Sequence, residues 1–155
     1  MAANNPGNRK DPLPVFCFKV EVALPGGGGG EMFFKSVSGL KYETEIVPVR
    51  EGGQNLTTFQ LPGATKWSNI TLKMGFTKDS SASGLLKWRK DWTRPGGGRR
   101  ITGTITQLDT ALNAQVSWTF VRGWPHKWEI GEFDASKNEL AIETLEIAHE
   151  GIVTG

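Results

Sequence analysis

Cysteine occurs once in the 155 residues, at Cys17, and histidine twice. A lone thiol closes no disulfide within the chain, so the fold must rest on its core, and the count suits a reducing cytoplasm. His126 and His149 stand far apart, neither at a metal-ligand spacing from Cys17 or an aspartate, which leaves both as structural residues. Nowhere do about 18 apolar residues run together, so no membrane anchor is expected, and the polar residues 1–11 lack the apolar stretch of a signal peptide. The glycosylation sequons beginning at Asn55 and Asn69 are therefore read as coincidental. Charge of one sign is lacking too. With 18 Lys+Arg against 16 Asp+Glu the balance is +2, too small to mark a nucleic-acid or membrane-surface protein.

What is abundant is glycine, at 20 residues about twice the usual share, which favours many turns and a mainly β fold. The length fits one domain. Residues 1–14 carry Asn, Pro and Gly with little apolar surface and read as a flexible N-terminal arm ahead of a single β domain over 15–155. Phe16, Phe18, Val20 and Val22 alternate with Lys19 and Glu21 on the other face, the pattern of a half-buried strand. Residues 26–30 form a glycine loop, and 32–37 return as the second strand of a hairpin. Leu40, Tyr42, Thr44 and Ile46 alternate with Lys41, Glu43 and Glu45 in a third strand, whose pairing Pro48 weakens. Residues 50–63, with Gly52, Gly53, Pro62 and Gly63, show little periodicity and read as an extended excursion.

Ile70, Leu72, Met74 and Phe76 mark a fourth strand. The period then changes: Leu85, Trp88 and Trp92 fall on one stripe of a short amphipathic helix, ended by Pro95 and Gly96. A tryptophan stripe at that spacing is expected to pack into the core. Strands follow at 101–108, 115–121 and 124–133, the first two separated by a turn near Asp109 and Asn113. In the last segment Leu140 and Ile142 share one face, Leu145 and Ile147 the other, so a bulge near Thr144 or a change of packing partner is expected. About eight strands and one helix fit a β-sandwich or partly closed barrel with a flanking α-helix.

No nucleophile stands with a base, no carboxylates pair, and no metal cage is spelled out, so no catalytic residue and no cofactor is expected. The 26–30 glycines are followed by Glu31 and Met32, not the Lys and Ser or Thr of a phosphate loop. Gly96 to Gly98 before Arg99 and Arg100 has two readings, a solvated turn or an anion site. The 87–100 stretch is basic and 129–150 is acidic. They are either two solvated faces or a basic surface that meets an acidic one on another copy. A monomeric nucleic-acid-binding β-barrel is the reading of a different class. It requires an exposed aromatic and basic face.

The order of residues itself resembles a known family. Tyr42, then Arg50, Glu51, Gly52, Gly53 and Asn55, then Leu61, Pro62, Gly63 and Lys66, then Asn69, Ile70, Leu72, Lys73 and Gly75 are similar to the tail tube proteins of contractile phages, a family that includes inner-tube proteins of extracellular contractile injection systems. Trp118, Phe120, Trp124, Pro125, Lys127 and Trp128 resemble its tryptophan-proline segment, and residues 139–151 its closing strand. Asp11, Pro12 and Leu13 are similar to its opening, so the likeness spans residues 11–152. The 26–30 loop, the 94–100 turn and Gly123 depart from it.

The resemblance implies a structural subunit, not an enzyme: six copies close into a ring, and rings stack into a hollow tube inside a contractile sheath. The implied partners are the chain itself, the sheath protein, baseplate, spike and tube-terminator proteins, and a cargo protein or phage DNA in the lumen. A tube initiator or terminator shares the fold and stays as the alternative. The excursion would contact an adjacent ring through Arg50, Glu51, Gly52, Gly53, Asn55, Leu61 and Pro62. Arg99 and Arg100 would add charge complementarity, and Lys41, Glu43 and Glu45 would line the lumen while Tyr42 and Ile46 pack inward.

Overall fold

Strands whose apolar residues recur at every second position must bury one face, and the chain does so by wrapping two sheets around one core. The computed structural model describes residues 17–23, 29–50, 52–53, 57–75, 84–132, 134–136 and 141–154. Among these residues ten strands and one helix run in the order β1 (Cys17–Ala23), β2 (Gly29–Phe34), β3 (Ser36–Ser38), β4 (Tyr42–Val49), β5 (Phe59–Trp67), β6 (Ile70–Gly75), α1 (Gly84–Thr93), β7 (Ile101–Leu108), β8 (Ala114–Ile130), β9 (Ile142–Ala148) and β10 (Gly151–Thr154). Among the described residues the expected mainly β architecture with one helix is what forms.

All pairings are antiparallel. One sheet runs β2-β1-β7-β8-β10, using the first half of β8; the other runs β8-β9-β6-β3, using its second half. The two predicted strands 115–121 and 124–133 are thus one strand of 17 residues that passes from sheet to sheet. It bends at Arg122, whose φ is 51°, and at the buried Gly123. The 32–37 strand likewise divides: β2 and β3 are separated by Lys35 alone, whose amide donates to the Lys73 carbonyl at 2.9 Å. The hydrogen-bonded path stays open between β2 and β3, and the chain itself joins its two ends.

Val20, Phe34, Ile70, Leu72, Ile105 and Ile147 meet between the sheets. At their centre the Phe120 ring lies against Gly103 and Gly123, and a Cβ at Gly123 would come within 2.5 Å of it. No side chain larger than hydrogen fits there. The predicted tryptophan stripe divides: Trp88 joins the core, while Trp92 is half-buried and lies outside it. Trp88 is 1% exposed and stacks on Phe120 with centroids 6.4 Å apart, while Trp92 stacks on Trp124 at 5.3 Å.

Three local expectations are corrected. Phe59 to Gly63, read as part of an aperiodic excursion, belong to β5, and Pro48 sits within the ladder opposite Gln60. Gly29 and Gly30, read as loop, begin β2. No bulge lies at Thr144, because β9 pairs with β6 in continuous register from Ile142 to Ile147. The irregularity is in β8, between Pro125 and Lys127, and the chain changes sheets only after Ala148, when β10 joins the first half of β8. Residues 1–16, including the predicted arm, lie outside the described residues.

Candidate assembly interface: the projecting hairpin

β4 and β5 form a two-stranded sheet of their own, hydrogen-bonded to each other and to neither main sheet. An isolated hairpin has no core behind it and is marginally stable in water. This one carries large apolar side chains all the same. Pairing sets Tyr42 opposite Trp67, Thr44 opposite Thr65, Ile46 opposite Pro62, Val47 opposite Leu61 and Val49 opposite Phe59, with a register shift between Thr44 and Ile46. Strand alternation then sorts them into two faces. One holds Tyr42, Trp67, Ile46 and Pro62. The other is charged near the body, where Glu43 faces Lys66, and apolar towards the tip, where Val47, Leu61, Val49 and Phe59 gather. Tyr42 is 63% exposed, Ile46 59% and Leu61 50%. Apolar side chains concentrated on a projection, instead of scattered over the surface, are the composition of an interaction surface.

The expected contact residues fall on or near this hairpin. Arg50 is exposed just past β4, Gly52 and Gly53 are exposed in the turn, and Leu61 and Pro62 lie on β5, whereas Glu51 and Asn55 are outside the described residues. Lys41, Glu43 and Glu45 are exposed at its base. Tyr42 and Ile46 do not pack inward as expected, because β4 leaves the body and has no core beneath it. Phe59 was missed by reading 50–63 as aperiodic, and Val47 and Val49 because the third strand was read only as far as Ile46. The signal was Phe59 and Leu61 at a spacing of two, matching Val47 and Val49 across a turn.

Arg99 is exposed, but Arg100 is already engaged within the chain. Its Nη1 lies 2.6 Å from Glu150 Oε1, and Arg122 Nε lies 2.9 Å from Glu150 Oε2. The hydrogen bond from Arg122, then the charges of Arg122 and Arg100, hold the Glu150 carboxyl below its ordinary range. One basic-to-acidic contact anticipated between copies is therefore made inside each copy.

Among the described residues no group of three or more His, Cys, Asp and Glu could hold a metal. A cavity lined by Met32, Phe34, Met74, Arg89, Trp128, Glu143 and Leu145 has a volume of about 10 Å³, room for one water. Nor does the helix offer a base-stacking platform, since Trp88 and Trp92 are committed to Phe120 and Trp124 and the Arg89 guanidinium sits 3.8 Å above Trp128.

A family model described as T4-like virus tail tube protein gp19 matches residues 14–153. Among curated proteins none matches the chain. Solved structures share its fold. A chain in the baseplate of the anti-feeding prophage superposes with TM-score 0.81 at 23% identity, covering 95% of this chain and 97% of that one. One in the sheath-tube complex of the PVC extracellular contractile injection system, in its extended state, gives 0.76 at 24%, covering 94% and 93%. A chain in the tube-terminating cap of the anti-feeding prophage gives 0.74 at 23%, covering 100% and 99%.

Proposed function

We propose that this chain, which belongs to the T4-like virus tail tube protein gp19 family, is the repeating subunit of a tube in which six copies close a ring and rings stack end to end. Membership makes it a structural component of a phage tail or extracellular contractile injection particle, and not an enzyme. The observation that carries the finer reading is the hairpin: Val47, Val49, Phe59 and Leu61 form an exposed apolar face on an arm that the body does not cover. A second copy of the chain is the partner always present at high concentration in an assembling tube. Copies related by symmetry would bury the same face on every subunit.

In this reading Arg50, Glu51, Gly52, Gly53, Asn55, Leu61 and Pro62 lie at the contact with the next copy, and the exposed Arg99 pairs across it. Lys41, Glu43 and Glu45, at the charged base of the arm, face the water-filled lumen, where a protein cargo or phage DNA would pass. A sheath surrounds the tube, as the sheath-tube complex among the similar structures suggests. Baseplate, spike and terminator proteins would close its ends. A tube-end role is the second reading, favoured by the full coverage of this chain in the match to the tube-terminating cap complex.

Electron microscopy across a concentration series separates the readings. The repeating subunit is expected to form sixfold rings that lengthen into tubes, and Phe59→Ser with Leu61→Ser is expected to abolish tubes while leaving folded subunits. Rings that never stack would favour the cap role. A double variant that still forms full-length tubes would remove the hairpin from the contact.

A further inference from the structure

An arm is useful for assembly only if it points in a fixed direction. β4 and β5 span about 26 Å, from eight residues at roughly 3.3 Å each, so a tilt of about 10° at the root moves the tip by about 5 Å, the spacing of a whole strand. We infer that His149 is the positioning residue that fixes the arm's direction relative to the body. The importance of that direction rests on the tube reading, but the positioning itself does not.

The two feet of the arm touch through backbone. Gly39, at φ 86°, packs so closely on the Asn69 carbonyl that any Cβ would collide with it, and the Ser68 amide donates to the Lys41 carbonyl at 3.1 Å. These contacts hold the feet to each other. The lateral support comes from the turn between β9 and β10. There His149 places Nε2 2.8 Å from the Ser68 carbonyl oxygen, and its ring lies 5.9 Å from Trp67, which in turn lies 5.3 Å from Tyr42. A carbonyl accepts only, so Nε2 carries the proton and donates. One side chain thus grips the arm twice, by a directional bond to one foot and by ring contact with the first cross-strand pair.

The turn that carries His149 is itself tied down. The Glu150 amide donates to the Val121 carbonyl at 3.0 Å, and the Glu150 carboxylate is held by Arg100 and Arg122. Buried Gly151 lies against the Trp67 indole. The grip therefore passes from β7 and β8 through residues 149–151 to the root of the arm. An arm held in its bound direction before it meets a partner does not lose that freedom on binding.

Spin labels at Thr58→Cys near the tip and Thr102→Cys on β7, in a Cys17→Ser background, report the direction as a distance distribution by pulsed electron resonance. Labelled chains are diluted into unlabelled protein so that pairs within one chain are read. The unaltered His149 chain is expected to give one narrow distribution. His149→Ala is expected to broaden it by several ångströms, and His149→Gln, which restores a donor, to narrow it again. An unchanged width in His149→Ala overturns the inference. Should that variant fail to fold, His149→Leu decides: it keeps the bulk but loses both the donor and the aromatic ring, and a narrow distribution there overturns the inference equally. If the distribution behaves as expected but microscopy finds no tubes, the positioning stands and the tube reading falls.

Discussion

The body and the arm use the same residue types to opposite ends. In the body Val20, Ile70, Leu72 and Ile147 are completely buried between two sheets of one chain, whereas in the arm Tyr42, Ile46, Phe59 and Leu61 are about half exposed or more. The difference is not composition. Each sheet of the body has a second sheet about 10 Å away to cover its apolar face, and the two-stranded arm has none. Burial in the body is completed by folding; burial in the arm, in the proposed tube, is completed by association. Substitutions in the two regions should accordingly separate stability from assembly.

The largest effect on stability is expected from Phe120→Ala. Its ring fills the space between Gly103, Gly123 and Trp88, and its loss should cost about 3–5 kcal/mol, read as a lower denaturant midpoint, with assembly lost because the body is lost. Gly123→Ala tests the same contact from the other side. The added methyl meets the Phe120 ring and should cost about 1–3 kcal/mol by overpacking. Next comes the arm. Phe59→Ser with Leu61→Ser should change the stability of the isolated subunit by no more than about 0.5 kcal/mol per site, since both residues are exposed, while removing tubes from the micrographs. A large loss of stability there would mean that the arm packs on its own body in solution, and the comparison would break.

The smallest effect belongs to the ion-pair cluster. The Glu150 carboxyl is held below its ordinary range when folded, chiefly by Arg122, so its contribution is present above the unfolded carboxylate pKa and fades as pH falls through the folded value. The groups are exposed, and salt should screen them. Glu150→Gln should lower the melting temperature slightly near neutral pH and converge with the parent at acid pH. Parallel melting curves at every pH would deny the pair any share in stability.

Legibility in the sequence differed between the regions for a physical reason. Where one face of a strand is buried, alternation must be strict, and Phe18, Val20 and Val22 or Ile70, Leu72 and Met74 could be read directly. The Trp88 and Trp92 stripe gave the helix on the same principle. The arm, solvated on both faces, is not bound by that rule: its first strand alternates, with Tyr42, Thr44 and Ile46 against Glu43 and Glu45, but its second does so only at Phe59 and Leu61. Charge and apolar residues mix on it, Pro48 and Pro62 sit within its ladder, and its second strand passed for loop. The candidate site was legible mainly as a resemblance in residues 50–63; its apolar character came from pairing Val47 with Leu61 and Val49 with Phe59.

By itself the sequence determined a mainly β chain with one helix, a core of alternating aliphatic residues sealed by tryptophan, and the absence of any catalytic or metal-binding pattern, because these follow from local periodicity and residue chemistry. Tertiary structure alone decided that two predicted strands are one, that Arg100 meets Glu150 within the chain, that His149 reaches Ser68, and that β4 and β5 stand away from the core. These depend on pairings between residues tens of positions apart. No local pattern specifies which distant strand will cover a given face, and that choice separates a folded core from a surface left exposed.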